Sequence, residues 1–183
     1  EAPLTESFAG VHMTYAPWLP EMAIGEIGEA RWTPCDGSAT QAGTQDGDGG
    51  VIAFSTSKLG VSSRIISPKI DISKMSKPQL SSWIYLTGKS DQVRIEISVE
   101  HGDYQQLKLI TLNQDTKGWH RFTADLTPYK DSQFVRIAFT GISVESTENV
   151  TSFDNFAITE AIDYDLQAGT LTAPKKIKVG EQG

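Results

Sequence analysis

The chain has a single cysteine, Cys35, so no disulfide can form within it, and a hydrophobic core or a bound metal must hold it together. It has no run of about 18 apolar residues, which excludes a membrane-spanning helix. Basic residues are few and scattered: 16 Lys and Arg stand against 23 Asp and Glu, for a formal net charge of -7. Phosphate recognition needs clustered cations. The nearest approach to a cluster is Lys175, Lys176 and Lys178, so a nucleic-acid partner is not expected. There is no convincing amphipathic helix, no signal peptide and no recognised nucleophile signature. A Cys-His hydrolase would need Cys35 beside His12, His101 or His120 with an orienting acid, and the Pro-Cys-Asp-Gly turn that holds Cys35 carries no such signature. With 23 acidic residues, some pair will sit at glycosidase spacing by chance, so carboxylate count alone argues for no hydrolase. The chain reads as non-catalytic.

What is present is a period of two. Val93, Ile95, Ile97 and Val99 alternate with polar residues, as a strand with one dry face does. Val135, Ile137 and Phe139 repeat the pattern, and shorter pieces follow at Leu107 with Leu109, at Phe122, Ala124 and Leu126, and at Phe156 with Ile158. Gly, Pro, Asn and Asp punctuate the joints, for example Thr87-Gly88-Lys89-Ser90 and His101-Gly102-Asp103. Short strands at regular spacing predict an all-β sandwich of two antiparallel sheets. Ala9 to Gly49 reads differently, with Pro17, Pro20, Pro34 and the run Asp46-Gly-Asp-Gly-Gly50. It is expected to be a long irregular loop, with one helical turn between Ala23 and Ala30.

Several segments resemble one group of modules. Leu4-Thr-Glu-Ser-Phe8 looks like an opening strand. Arg64-Ile-Ile-Ser-Pro68 with Ile70-Asp71-Ile72 looks like the group's serine-proline element. Ser98 to Leu107 looks like its hairpin, Trp119 to Tyr129 like its tryptophan strand, and Ser152-Phe-Asp-Asn-Phe156 like its closing strand. Together with the aromatic strand Leu80 to Tyr85, these cover most of residues 4 to 160. The order resembles bacterial choice-of-anchor J and cleaved-adhesin domains, relatives of MAM-type jelly rolls. Two departures stand out: Ala16-Pro17-Trp18 lacks the usual glycine, and Glu100-His101 replaces aspartate-glycine in the hairpin.

The resemblance implies a jelly roll over residues 1–160 and a linker over 161–183. That linker would carry the first strand of an immunoglobulin-like adhesion-related domain. Both ends read as cut from a longer precursor. The implied role is adhesion or binding, to a glycan or to a host or matrix protein. The module would belong to a larger bacterial protein, secreted or anchored at the cell surface, with further domains of the same chain as neighbours. The alternatives are an accessory domain beside a peptidase or glycoside hydrolase, or a structural spacer.

Two sites follow as expectations. First and last strands of jelly rolls commonly pair, which would bring Glu6 and Asp154 together near a sheet edge, where related jelly rolls hold a structural Ca²⁺. Asp46 and Asp48, alternating with glycine, are the second candidate ligands, since hard cations take six to eight oxygens. Both sets have a plainer reading: Glu6 and Asp154 bond backbone amides, and Asp46 and Asp48 make turns. For a stacking ligand, Trp18 and Trp32 in the irregular segment are the expected platform, with plugging of the sandwich end as the alternative. Trp83 and Trp119 lie on strands and are expected in the core.

Overall fold

The computed structural model describes residues 2–9 and 17–162. The chain from 163 onward, which holds all but the first two residues of the expected linker and following strand, lies outside the described residues.

Among the described residues, eleven strands make two antiparallel sheets. They are β1 (Leu4–Glu6), β2 (Leu19–Ile24), β3 (Ala30–Asp36), β4 (Gly50–Thr56), β5 (Ser62–Ile66), β6 (Pro78–Leu86), β7 (Gln92–Val99), β8 (Gln105–Thr111), β9 (Gly118–Asp125), β10 (Val135–Ile142) and β11 (Glu148–Glu160). One sheet has the order β3-β4-β11-β6-β9, with β1 added on β11, and the other the order β2-β5-β10-β7-β8. This is the expected all-β sandwich. The opening and closing strands pair as expected, Leu4 opposite Ile158 and Glu6 opposite Phe156.

The alternating strands set the core. Ile97 lies opposite Ile137 and Ile95 opposite Phe139, all buried. Phe139 meets Phe153 of the other sheet in a stacked pair, centroids 4.3 Å apart. Gly141 admits Phe54 of the facing sheet, because a Cβ there would stand 2.5 Å from the ring. Glycine at Gly50 lets the backbone pass against the Phe8 carbonyl oxygen, where a side chain could not fit.

Three expectations need correction. Ala9 to Gly49 is not one irregular loop, because β2 and β3 occupy much of its described part. Their prolines had suggested otherwise, but Pro20 sits on an edge strand, where a missing amide costs no ladder bond. Ala23 to Ala30 is not a helical turn but the end of β2, the start of β3 and the connection 25–29 between them, closed by the Glu29 amide donating to the Glu26 carbonyl at 3.1 Å. Finally, Leu109 faces solvent at 43% exposure while Leu107 packs partly on the core. An irregularity in the β7–β8 register, between Ile95 and Glu96, breaks the shared face.

Candidate functional site

The outer face of the six-stranded sheet carries aromatic side chains. Along β6, Leu80, Ser82, Ile84 and Leu86 are buried, while the alternate residues Trp83 and Tyr85 are only half-buried. Trp119 on β9 lies opposite Tyr85 and meets its ring edge-on at 5.5 Å. Strand position had suggested the core for Trp83 and Trp119. The period of two puts them outside instead, in register with the polar residues of their strands.

The tryptophans expected as a platform go the other way. Trp32 is fully buried against Phe54 and Phe153, and its indole Nε1 donates to the Ser63 carbonyl at 2.9 Å. Trp18 is 6% exposed and packs edge-on against Phe156. Neither indole offers a face to a ligand. Trp32 is on β3 with its side chain inward, and Trp18 directly precedes β2. Both indoles are part of the core.

The segment from Gly37 to Gly49, between β3 and β4, crosses this aromatic face. Its neck is closed by the Gly37 amide donating to the Gly49 carbonyl at 3.0 Å. Its own polar side chains shape it: Asp46 Oδ1 accepts from the Asp48 amide at 3.0 Å and Asp48 Oδ1 from the Gly50 amide at 3.1 Å. Side-chain oxygens bonding amides two residues on are what favour Asp in turns. Four hydrogen bonds pin the segment to the sheet. Trp119 Nε1 donates to the Ala42 carbonyl at 3.1 Å, the Gln45 amide donates to Asp154 Oδ2 at 2.8 Å, and Asn155 Nδ2 donates to Gln45 Oε1 at 2.8 Å and Asp46 Oδ2 at 3.0 Å.

Asn155 can do this because of a bulge. The β11–β6 register shifts between Asp154 and Ala157, and Asn155 takes a left-handed backbone with φ of 51°. Asn tolerates that conformation better than most residues. The shift lets Phe153 and Phe156 both enter the core although three residues apart. It also aims the intervening Asp154 and Asn155 side chains at the crossing segment. Asn155 was not singled out from the sequence. Its signal was there: two polar residues between two phenylalanines break a period of two.

Burial is the larger influence on the Asp154 carboxyl, and nearby Asp46 and Asp48 add repulsion. Two amide bonds oppose these, yet its pKa is pushed up to about 6. Asp46 behaves differently. Burial works against its ionisation, but the Asp48 amide and the Asn155 side chain outweigh this and hold its carboxyl below the ordinary range.

The four expected metal residues thus share one neighbourhood. Glu6 and Asp46 line the same depression, while Asp48 and Asp46 both act on Asp154. Their bonds match the plainer reading, with Glu6 Oε1 also accepting a backbone amide, that of Phe8, at 3.0 Å. Among the described residues no three His, Cys, Asp or Glu side chains gather so as to hold a metal ion. Side chains alone therefore fall short of the six to eight oxygens a calcium ion takes.

Beside the crossing segment lies an open depression of about 590 Å³. Trp83, Glu6, Gln45, Asp46, Ser81 and Asn155 are among its lining residues. Its size lies within the range of small-ligand clefts, and it combines an aromatic ring with a few convergent polar groups.

No family model matches the chain, and no curated protein does either. Solved structures do match. The K1 cleaved adhesin domain of Lys-gingipain from Porphyromonas gingivalis W83 has a TM-score of 0.65 at 18% identity, covering 88% of this chain and 99% of that one. TmCBM61, solved in complex with β-1,4-galactotriose, has a TM-score of 0.63 at 8% identity, covering 88% of this chain and all, 100%, of that one. A xylan-binding domain from CBM 22 scores 0.51 at 12% identity, covering 86% and 94%. At such identities the likeness establishes the β-sandwich fold and nothing finer.

Proposed function

We propose that this domain is a non-catalytic glycan-binding module and that the ligand sits in the depression walled by Trp83. The observation that carries the reading is the half-buried Trp83 with Glu6, Gln45, Asp46 and Asn155 around it. A pyranose has apolar C–H faces that suit an indole ring, and an equatorial rim of hydroxyls that suits amide and carboxylate groups. The Asn155 bonds to Gln45 and Asp46 hold those groups in place before any ligand arrives, which lowers the ordering cost of binding. The fold is shared with TmCBM61, solved with β-1,4-galactotriose, and with a xylan-binding domain, which supports a saccharide ligand, and with an adhesin domain. A secreted or surface location in a bacterial protein, beside further domains, belongs to the same reading.

A glycan array probed with the wild-type domain and with Trp83→Ala tests it. Binding by the wild type that the variant loses supports the assignment. Binding unaffected by the substitution, or no binding to any glycan, would return the domain to the accessory or spacer role.

Structural calcium is kept as a proposal favoured by one observation, the repulsion that Asp46 and Asp48 exert on Asp154, which a cation among them would cancel. It would need backbone and water oxygens to complete its shell. A melting temperature lowered by chelator and restored by calcium would support it, and an unchanged melting curve would remove it.

A further inference from the structure

The outer face of the five-stranded sheet is rich in arginine, in a chain whose net charge is -7. Glu21, Arg64, Thr140, Arg94 and Leu109 stand in one row across all five strands. Glu96 lies one row along, opposite Ala138, and Arg136 one row further, opposite Ser98. Glu96 is only 4% exposed and accepts from the Thr140 hydroxyl. Arg64 stands 3.6 Å from Glu96 and 3.5 Å from Glu21, and Arg94 stands 3.7 Å from Glu96. The Arg64 guanidinium also lies over the Tyr104 ring, 4.6 Å from its centroid.

These ion pairs are loose. Tight guanidinium–carboxylate bonds run about 2.7–2.9 Å, commonly in bidentate pairs. If Glu96 served only to neutralise its neighbours, a tight fork would be expected. Instead the Nε atoms of both Arg64 and Arg94 are buried without an acceptor in the protein. Each guanidinium carries five donors and no acceptor. Arg64 and Arg94 thus share two carboxylates, one of them Glu21 with a side chain 54% exposed at the sheet edge, while Arg136 Nη1 donates to the Ser67 carbonyl at 3.5 Å. The face holds more directed donors than the protein satisfies, and buried donors of this kind call for an acceptor.

We propose that this face binds the carboxylate of an acidic, uronate-bearing glycan, held between Arg64 and Arg94 beside Tyr104. The proposal rests on the glycan-binding reading of the domain, but it uses the opposite sheet from Trp83 and a different ligand class. A glycan suits the face better than an acidic peptide because Leu109 and Tyr104 put apolar surface next to the donors, as a pyranose ring requires. Fixed guanidinium forks favour a planar carboxylate over a neutral hydroxymethyl group.

The test is affinity electrophoresis in gels containing polygalacturonate or the same polymer fully methyl-esterified. The wild type is expected to bind the acid form ~tenfold more tightly than the ester, a difference of about 1.4 kcal/mol. Raised salt should narrow the gap. Arg94→Gln, at a half-exposed position, should abolish the preference with its melting temperature unchanged. Glu96→Gln can keep the Thr140 bond while removing the competing charge, and should strengthen retention by the acid polymer several-fold, a gain that a purely structural Glu96 would not give. Equal retention by both polymers, an unaffected Arg94→Gln, or weaker retention by Glu96→Gln overturns the proposal. So does binding of poly-glutamate as tight as that of polygalacturonate, which would make the face a dock for acidic protein. Loss of acid-polymer retention in Trp83→Ala would put both ligands in one depression and overturn the second site. Loss of neutral-glycan binding in that variant, with retention by the acid polymer intact, would leave both readings standing.

Discussion

Asp154 has a pKa near 6 in the folded domain against an ordinary value of 3.8, because burial and the neighbouring Asp46 and Asp48 disfavour its charge. A carboxyl whose folded pKa is raised gives stability that is complete below the unfolded value and is lost as pH rises through the folded one. The domain should therefore lose on the order of 3 kcal/mol from this group between about pH 4 and pH 7, at 1.36 kcal/mol per pKa unit. Melting curves across that range should show the decline, and Asp154→Asn, which cannot ionise, should flatten this component. A pH-independent difference between wild type and variant would contradict it. Asn155 gives a second prediction. Asn155→Gly keeps the left-handed backbone and deletes the amide that holds Gln45 and Asp46, so glycan affinity should fall while the melting temperature changes little. Isothermal titration beside a melting curve separates the two effects. The sequence marked Glu6 with Asp154 as one candidate set and Asp46 with Asp48 as another, because strand pairing and glycine-spaced aspartates are visible without coordinates. It left open whether a cation or backbone amides would take their oxygens, since that depends on where each chain segment lies in space.

At the scale of elements, β7 and β10 were the most legible. Four and three alternating apolar residues define their buried faces, and Ile97 meets Ile137 as a period of two requires. Ile97→Ala should cost ~2–5 kcal/mol, read from denaturant unfolding, because the neighbours cannot fully close the cavity. A cost below ~1 kcal/mol would mean that the site collapses or that the residue is not core. The strands least legible were β2 and β3. Prolines and glycines blurred their pattern, and both are sheet edges, where a missing amide is tolerated. That blurring also misplaced the tryptophans: once β3 is a strand, Trp32 alternates inward, and once β6 has its core face, Trp83 must alternate outward. Trp119 adds a tie between element and site. Trp119→Phe keeps the ring against Tyr85 but removes the bond to the Ala42 carbonyl, and should raise amide exchange in the Gly37–Gly49 segment without unfolding β9. Unaltered exchange there would mean that the other contacts suffice to hold the segment.

At the scale of the molecule, the sandwich presents two outer faces with different chemistry. One is aromatic and crossed by an ordered segment, and the other carries arginines around a buried glutamate. The core between them is continuous, so either face can change without loss of the fold. That division matches what a binding module needs, a rigid scaffold with variable surfaces. The central claim is that the half-buried Trp83, rather than the core tryptophans, meets a glycan. The most direct measurement uses the indole N–H resonances of the four tryptophans during titration with a glycan that the array identifies. The account predicts a saturable shift of the Trp83 signal, with Trp18 and Trp32 unmoved. A bound glycan that leaves Trp83 unshifted, or that shifts Trp18 or Trp32 instead, would contradict it.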